Sequence, residues 1–196
     1  LIKYGSTRIV FGKDITNSYS SPSVAENNPT TILVKVSHVA ARLDFSQFDV
    51  TLKGFEGNPT VVFDEAKFVN LQQNGKIVEG DASVNVKDGA FLNRSNRIGT
   101  KWTDMGTAYG YANQYKQDSE MNTALYVKFT VDGRTFEKTY PINPAGITKE
   151  VDHNGIKGGY LYDIKVRWTI TPDWGDSTIE FYTRDWVHNS IPEVVL

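Results

Sequence analysis

The sequence predicts an all-β fold, an antiparallel β-sandwich, from three observations. Apolar and polar residues alternate over long stretches, most plainly from Tyr160 to Ile170, and a period of two belongs to a strand with one buried face. Asn74-Gly75 and Asp132-Gly133 stand between apolar runs, and both central positions of a type I′ hairpin turn need the positive φ that Asn, Asp and Gly tolerate. No stretch of amphipathic helical period stands out, so strands recur with turns between them. One face per strand must then be buried between two mostly antiparallel sheets. Val34, Val36, Leu43, Val127, Phe129, Ile164, Val166 and Trp168 are the expected core.

Taken in order, Thr7 to Phe11 is a short candidate strand, and the Ser, Asn and Pro content of residues 17–30 marks a loop. Thr31 to Phe45 is the longest early strand. Its apolar positions are even at Ile32, Val34 and Val36 but odd at Val39, Ala41, Leu43 and Phe45, which a β-bulge near Ser37-His38 would reconcile. Phe48, Val50 and Leu52 continue after a short turn. Thr60 to Phe63 and Lys67 to Leu71 read as two further strands, and Ile77-Val78 and Ser83 to Val86 as partners across the Asn74-Gly75 turn. Leu125 to Val131 and Arg134 to Ile142 form the clearest hairpin, joined by Asp132-Gly133.

Tyr160 to Ile170 then alternates without a break, and Thr171 to Asp176 holds turn chemistry in Pro172 and Gly175. Alternation resumes from Ser177 to Trp186. After Asn189-Ser190 comes the apolar segment Ile191-Pro192-Glu193-Val194-Val195-Leu196. Chain ends normally fray in water, so an apolar, β-rich end is expected to pair with something. One region resists the pattern: Gly89 to Glu120 holds Trp102, Tyr109, Tyr111 and Tyr115 among Gly, Asn, Gln, Asp and Ser with little alternation. It reads either as a functional surface loop or as short irregular edges.

Composition excludes several classes. With 196 residues, 39% apolar and 12% aromatic, the chain can bury a core as a single domain over residues 1–196. The net charge is −2 and the 21 basic residues form no run, which leaves no electrostatic footprint for nucleic acid. No window approaches the roughly eighteen apolar residues of a membrane helix. The chain begins at Leu1 without Met and reads as a processed or excised product. Cysteine is absent, which removes thiolate chemistry, disulfides and cysteine-based metal sites.

Catalytic groups are not assembled by any motif. His38, His153 and His188 lie far apart with no metal-ligand spacing, and no nucleophile elbow, phosphate loop or dinucleotide fingerprint occurs. Gly158-Gly159 reads as a bend and Asp152 to Gly155 as a turn lacking the spacing of a calcium loop. No catalytic residue, metal or cofactor is expected, and the chain reads as a non-enzyme. A hydrolase on a sandwich scaffold would need a nucleophile, base or metal set that the sequence does not display.

Two stretches resemble the fimbrillin family of Bacteroidetes. Ile32 to Phe45 is similar to that family's early core strand, with His38 where an Arg is usual and Arg42 where a Lys is usual. Gly159 to Val166 followed by Thr178 to Val187 looks like its penultimate and last long strands, the latter closing on Trp186 before a short apolar tail. The resemblance implies transthyretin-like β-sandwiches, exported through the outer membrane and polymerised at the cell surface into fimbriae by strand exchange. Members usually carry two such domains and a lipoprotein Cys. The resemblance therefore implies that this chain is one domain, the C-terminal one, of a longer subunit.

The leading expectation is a structural or adhesive fimbrial subunit whose partners are other subunits, with Ile191, Val194, Val195 and Leu196 as the assembly strand. An added strand satisfies a row of edge N–H and C=O groups while alternate side chains fill pockets. Pro192 cannot donate to a ladder and belongs at the start of such a strand. The alternative is a carbohydrate-binding module in which exposed Trp102, Tyr109, Tyr111 and Trp174 stack on sugar rings. Host or bacterial surface glycans or proteins would then be the adhesion targets.

Overall fold

Alternating apolar residues become strands throughout the computed structural model, which describes residues 3–4, 37–76, 83–93, 97–145, 153–173 and 177–185. Among these residues the chain forms fifteen strands and no helix. β1 (Lys3–Tyr4) pairs with β2 (Ser37–His38), and the first long strands are β3 (Ala41–Leu52) and β4 (Val61–Val69). β5 (Leu71–Gln72) pairs with β6 (Val86–Lys87), after which β7 (Phe91–Asn93) and β8 (Arg97–Ile98) lead to β9 (Lys101–Gly110). β10 (Asn113–Gln114) precedes the hairpin of β11 (Ala124–Val131) and β12 (Arg134–Pro141). β13 (Gly155–Ile156) pairs back on β10, followed by β14 (Tyr160–Ile170) and β15 (Ser177–Asp185).

Two larger sheets carry the core. One has the order β15-β14-β3-β9; the other runs β12-β11-β4, with β7 and β8 both along the far side of β4. Every pair is antiparallel except β14 with β3, whose parallel register sets Ile164 beside Phe45 and Trp168 beside Val50. That pair is joined by the long excursion through the other sheet, as parallel neighbours require a crossover. The inner faces meet as a β-sandwich. Phe48 of β3 lies 5.3 Å from Phe63 of β4 and 5.3 Å from Phe129 of β11, ring centre to ring centre. Edge-to-face rings at such distances add to the roughly 1.5–3 kcal/mol that burial of each large apolar side chain contributes.

The expected core residues Leu43, Val127, Phe129, Ile164, Val166 and Trp168 are all buried. Val34 and Val36 lie outside the described residues, as do the Thr7 to Phe11 strand and the Ile77-Val78 segment. The Asp132-Gly133 hairpin is present in full register, with φ of 45° at Asp132 and 81° at Gly133.

Four expectations are corrected. The parity change near Ser37-His38 is an interruption, not a bulge: Val39 and Ala40 bend between β2 and β3, which belong to different sheets. The short turn expected after Phe45 is instead a bulge at Ser46, which β9 and β14 both skip in register. It moves the buried positions from Leu43 and Phe45 to Phe48 and Val50. A second bulge at Asp64 fuses two expected strands into β4, because Phe63 pairs with Phe129 while Glu65 pairs with Lys128. Asn74-Gly75 has no positive φ, so it makes no type I′ turn. Leu71–Gln72 finds its partner in Val86–Lys87.

The largest correction concerns residues 89–120. Ten of them form β9, a full member of the four-stranded sheet opposite β3. Asp104, at φ 53°, and Met105 stand against Ser46 alone, so the strand carries its own irregularity. Gly106 follows at φ 144°, where a Cβ would come 3.0 Å from Leu92 of β7. Only glycine lets the two sheets close at this rim.

Candidate assembly edges and aromatic surface

Strand-mediated assembly requires a sheet edge, and sequence decides which edges are guarded. Among the described residues, β12 pairs only with β11 and β15 only with β14, so these two strands bound the sheets. On β12, Arg134, Phe136, Lys138 and Tyr140 share one face. Phe136 stacks on Phe129 at 5.2 Å, the Arg134 guanidinium lies 5.6 Å from the Phe136 ring, and the Lys138 ammonium lies 5.3 Å from Tyr140. Cations over rings along an edge strand hold charge at the rim of the sandwich, where an incoming strand would have to desolvate them. β15 runs antiparallel to β14 from Trp168↔Ser177 to Tyr160↔Asp185. The expected assembly residues Ile191, Val194, Val195 and Leu196 lie outside the described residues.

The aromatic platform is not assembled as expected. Trp102 is 3% exposed, stacked on Phe48 at 5.4 Å and tilted against Phe63 at 5.7 Å. Its register opposite Phe48 turns it into the core, so it offers no face to a sugar. Tyr109 is 46% exposed on β9 opposite Arg42. Tyr111 is half-buried, with its ring against Gly75. Trp174 lies outside the described residues.

Beyond β9, amide side chains organise what the sequence left irregular. Asn70, at φ 54°, donates its Nδ2 to the carbonyls of Glu120 at 2.6 Å and Asn122 at 3.1 Å. Asn113 donates to the Met121 carbonyl and to Thr123 Oγ1, both at 2.9 Å, and Thr123 in turn donates to the Asn70 carbonyl at 2.8 Å. Buried Gln72 donates to the Ser83 carbonyl at 2.8 Å and accepts the Asn85 N–H at 2.9 Å. Each loop carbonyl so bonded is spared the cost of burial without a partner. Beside this network lies a cavity of about 170 Å³, lined by Val39, Gln72, Asn74, Lys76, Asn113 and Lys116 among others.

Near the start of β14, Tyr162 is buried with its hydroxyl 2.7 Å from His153 Nε2, and it accepts the Lys157 N–H at 2.8 Å. Burial pushes its hydroxyl pKa well above the ordinary value, opposed by the Lys157 bond. Fully buried Asn143, at φ 47°, donates to the carbonyls of His153 at 3.0 Å and Gly155 at 3.1 Å, and its own carbonyl accepts the Gly155 N–H at 2.7 Å. On the outer face of the five-stranded sheet, Lys67 pairs with Asp88 at 2.8 Å and holds its carboxyl below the usual range. Tyr126 nearby is pushed up to about 12 by burial and by its bond to Glu137. Among the described residues no three His, Asp or Glu side chains converge as metal ligands.

No family model and no curated protein matches the chain. Solved structures do. A candidate cell adhesion protein from Parabacteroides distasonis is similar over 78% of this chain and 53% of its own, with a TM-score of 0.64 and 19% identity. The tip fimbrial protein Mfa3 from Porphyromonas gingivalis, with C-terminal truncation, is matched over 78% of this chain and 53% of its own, at a TM-score of 0.46 and 12% identity. A fimbrial protein from Bacteroides vulgatus is matched over 84% and 59%, at a TM-score of 0.41 and 15% identity. This chain thus spans little more than half of each. These structural neighbours are candidate cell adhesion and fimbrial proteins of Bacteroidetes. The first of them shares its fold with this chain.

Proposed function

We propose that this chain is a structural or adhesive subunit of a cell-surface fimbria, exported through the outer membrane and assembled with other subunits by strand exchange. The observation that carries the reading is the β-sandwich shared with the candidate cell adhesion protein of Parabacteroides distasonis. The guarded edge of β12 adds a physical reason, since charge at one rim disfavours indiscriminate edge pairing and leaves assembly to a dedicated strand. Ile191, Val194, Val195 and Leu196 are that strand in this reading, entering after Pro192. The chain is then one transthyretin-like domain of a longer two-domain subunit, and it performs no catalysis. A carbohydrate-binding module is the second reading, resting on exposed Tyr109 with Tyr111 beside it, and glycans or surface proteins would be its targets.

Deletion of residues 191–196 tests the assembly strand. Loss of polymer with an unchanged melting temperature is the expected result. A lowered melting temperature with polymerisation intact would make the segment part of its own domain's core.

A further inference from the structure

Four times the chain places Asn or Asp directly before Gly: Asn74-Gly75, Asp88-Gly89, Asp132-Gly133 and Asn154-Gly155. In each pair the glycine backbone nitrogen can approach the preceding side-chain carbonyl carbon, unhindered by a Cβ. Three pairs are held away from that reaction. The Gly89 N–H donates to the Phe68 carbonyl at 2.8 Å, and the Asp88 carboxylate is paired with Lys67. The Asp132 carboxylate accepts the Thr60 N–H at 2.7 Å, and a carboxylate is a poor electrophile. The Gly155 N–H donates to the Asn143 carbonyl at 2.7 Å inside a strand paired with β10.

Asn74-Gly75 differs on every count. Residues 73–76 are exposed and belong to no strand, and among the described residues no acceptor binds the Gly75 N–H. Asn74 carries the neutral amide, whose leaving group departs as ammonia. Lys76 and Lys116 line the same cavity as Asn74, so a carboxylate formed there would meet two ammonium groups.

We infer that Asn74 is a site of spontaneous covalent modification, at which the exposed amide is converted to a carboxylate beside Lys76 and Lys116. The Gly75 nitrogen bonds to Asn74 Cγ and gives up its proton, and the side-chain nitrogen leaves with it as ammonia, closing a five-membered imide. Water then opens either carbonyl of the ring, giving aspartate or isoaspartate. The net reaction consumes one water and releases one ammonia. The cavity mouth, cationic through Lys76 and Lys116, loses one unit of positive charge with age, without an enzyme.

The test is peptide mapping by mass spectrometry of the full chain incubated folded in mildly alkaline buffer and, in parallel, in denaturant. In the folded chain residue 74 gains about one dalton with an isoaspartyl fraction, while residue 154 converts at least about tenfold more slowly because its strand must first open. In denaturant that gap closes. Asn74→Gln abolishes the change at this position and leaves the melting temperature in place. Equal folded rates at the two sites, a gap that persists in denaturant, or an intact Asn74 in folded chain after a time that converts it in denaturant would each overturn the inference.

Discussion

The Trp168 indole meets the Phe129 ring edge-on at 4.9 Å, joining β14 of one sheet to β11 of the other. Phe136 touches the same indole at 5.9 Å, so three strands converge on one side chain. Trp168→Ala should destabilise the fold by about 3–5 kcal/mol in denaturant unfolding, through lost burial and the cavity left behind. Trp168→Phe keeps a ring against Phe129 and removes an indole N–H that is buried without an acceptor among the described residues. That swap should cost less than about 1.5 kcal/mol. A loss below about 1 kcal/mol for the alanine variant would show that Trp168 does not hold the sheets together.

Gly133 tests the hairpin turn in isolation. Its φ is 81° and a Cβ there would meet nothing within 4 Å, so Gly133→Ala introduces conformational strain without a clash. The expected loss is about 1–2 kcal/mol, read from the shift in the urea midpoint at constant slope. An unchanged midpoint would mean that the turn relaxes to a negative φ.

Asn143 clips the approach to β14, and its side chain satisfies two carbonyls of residues 153 and 155. Asn143→Ala leaves both without that donor and should cost about 1–3 kcal/mol. The same variant should speed amide hydrogen exchange at Gly155, whose N–H bonds to the Asn143 carbonyl. Unchanged exchange there would place the clip elsewhere.

Much of this fold was legible because alternation is local. β11 from Leu125 and β14 from Tyr162 keep one buried parity to their ends, so their buried faces follow from the sequence of one strand. β3 and β4 change parity at Ser46 and Asp64, and nothing local distinguishes a bulge from a turn there. β9 was hidden twice over, by the left-handed Asp104 and by small residues at Gly106, Ala108 and Gly110 that carry little hydrophobic signal. The same limit applied to the aromatic surface. Trp102 announces an aromatic, but its direction is set by register against Phe48, a contact made across 54 residues of chain. Exposure of Tyr109 was legible as an expectation, and the amide network around Asn70 and Asn113 was not, because its partners are backbone carbonyls brought together by folding.

Alkaline pH should weaken the fold through its tyrosines. The Tyr126 hydroxyl is raised from 10.0 to about 12, first by burial and then by its bond to Glu137, and burial raises Tyr162 as well. Below pH 10 both states hold these protons, so stability is fully present. Between about 10 and about 12 the unfolded chain ionises first, and stability falls as pH rises through the folded value. Tyr126→Phe should flatten part of that fall in melting temperature against pH. An identical slope in the variant would exclude Tyr126 as a source.

Backbone hydrogen exchange at Val194, Val195 and Leu196, compared between monomer and polymer, tests strand exchange most directly. An added strand buries its N–H groups in a ladder on the neighbouring subunit. These three amides should therefore exchange freely in the monomer and become protected in the polymer. Protection that is already complete in the monomer, or free exchange in a formed polymer, would contradict assembly through this segment.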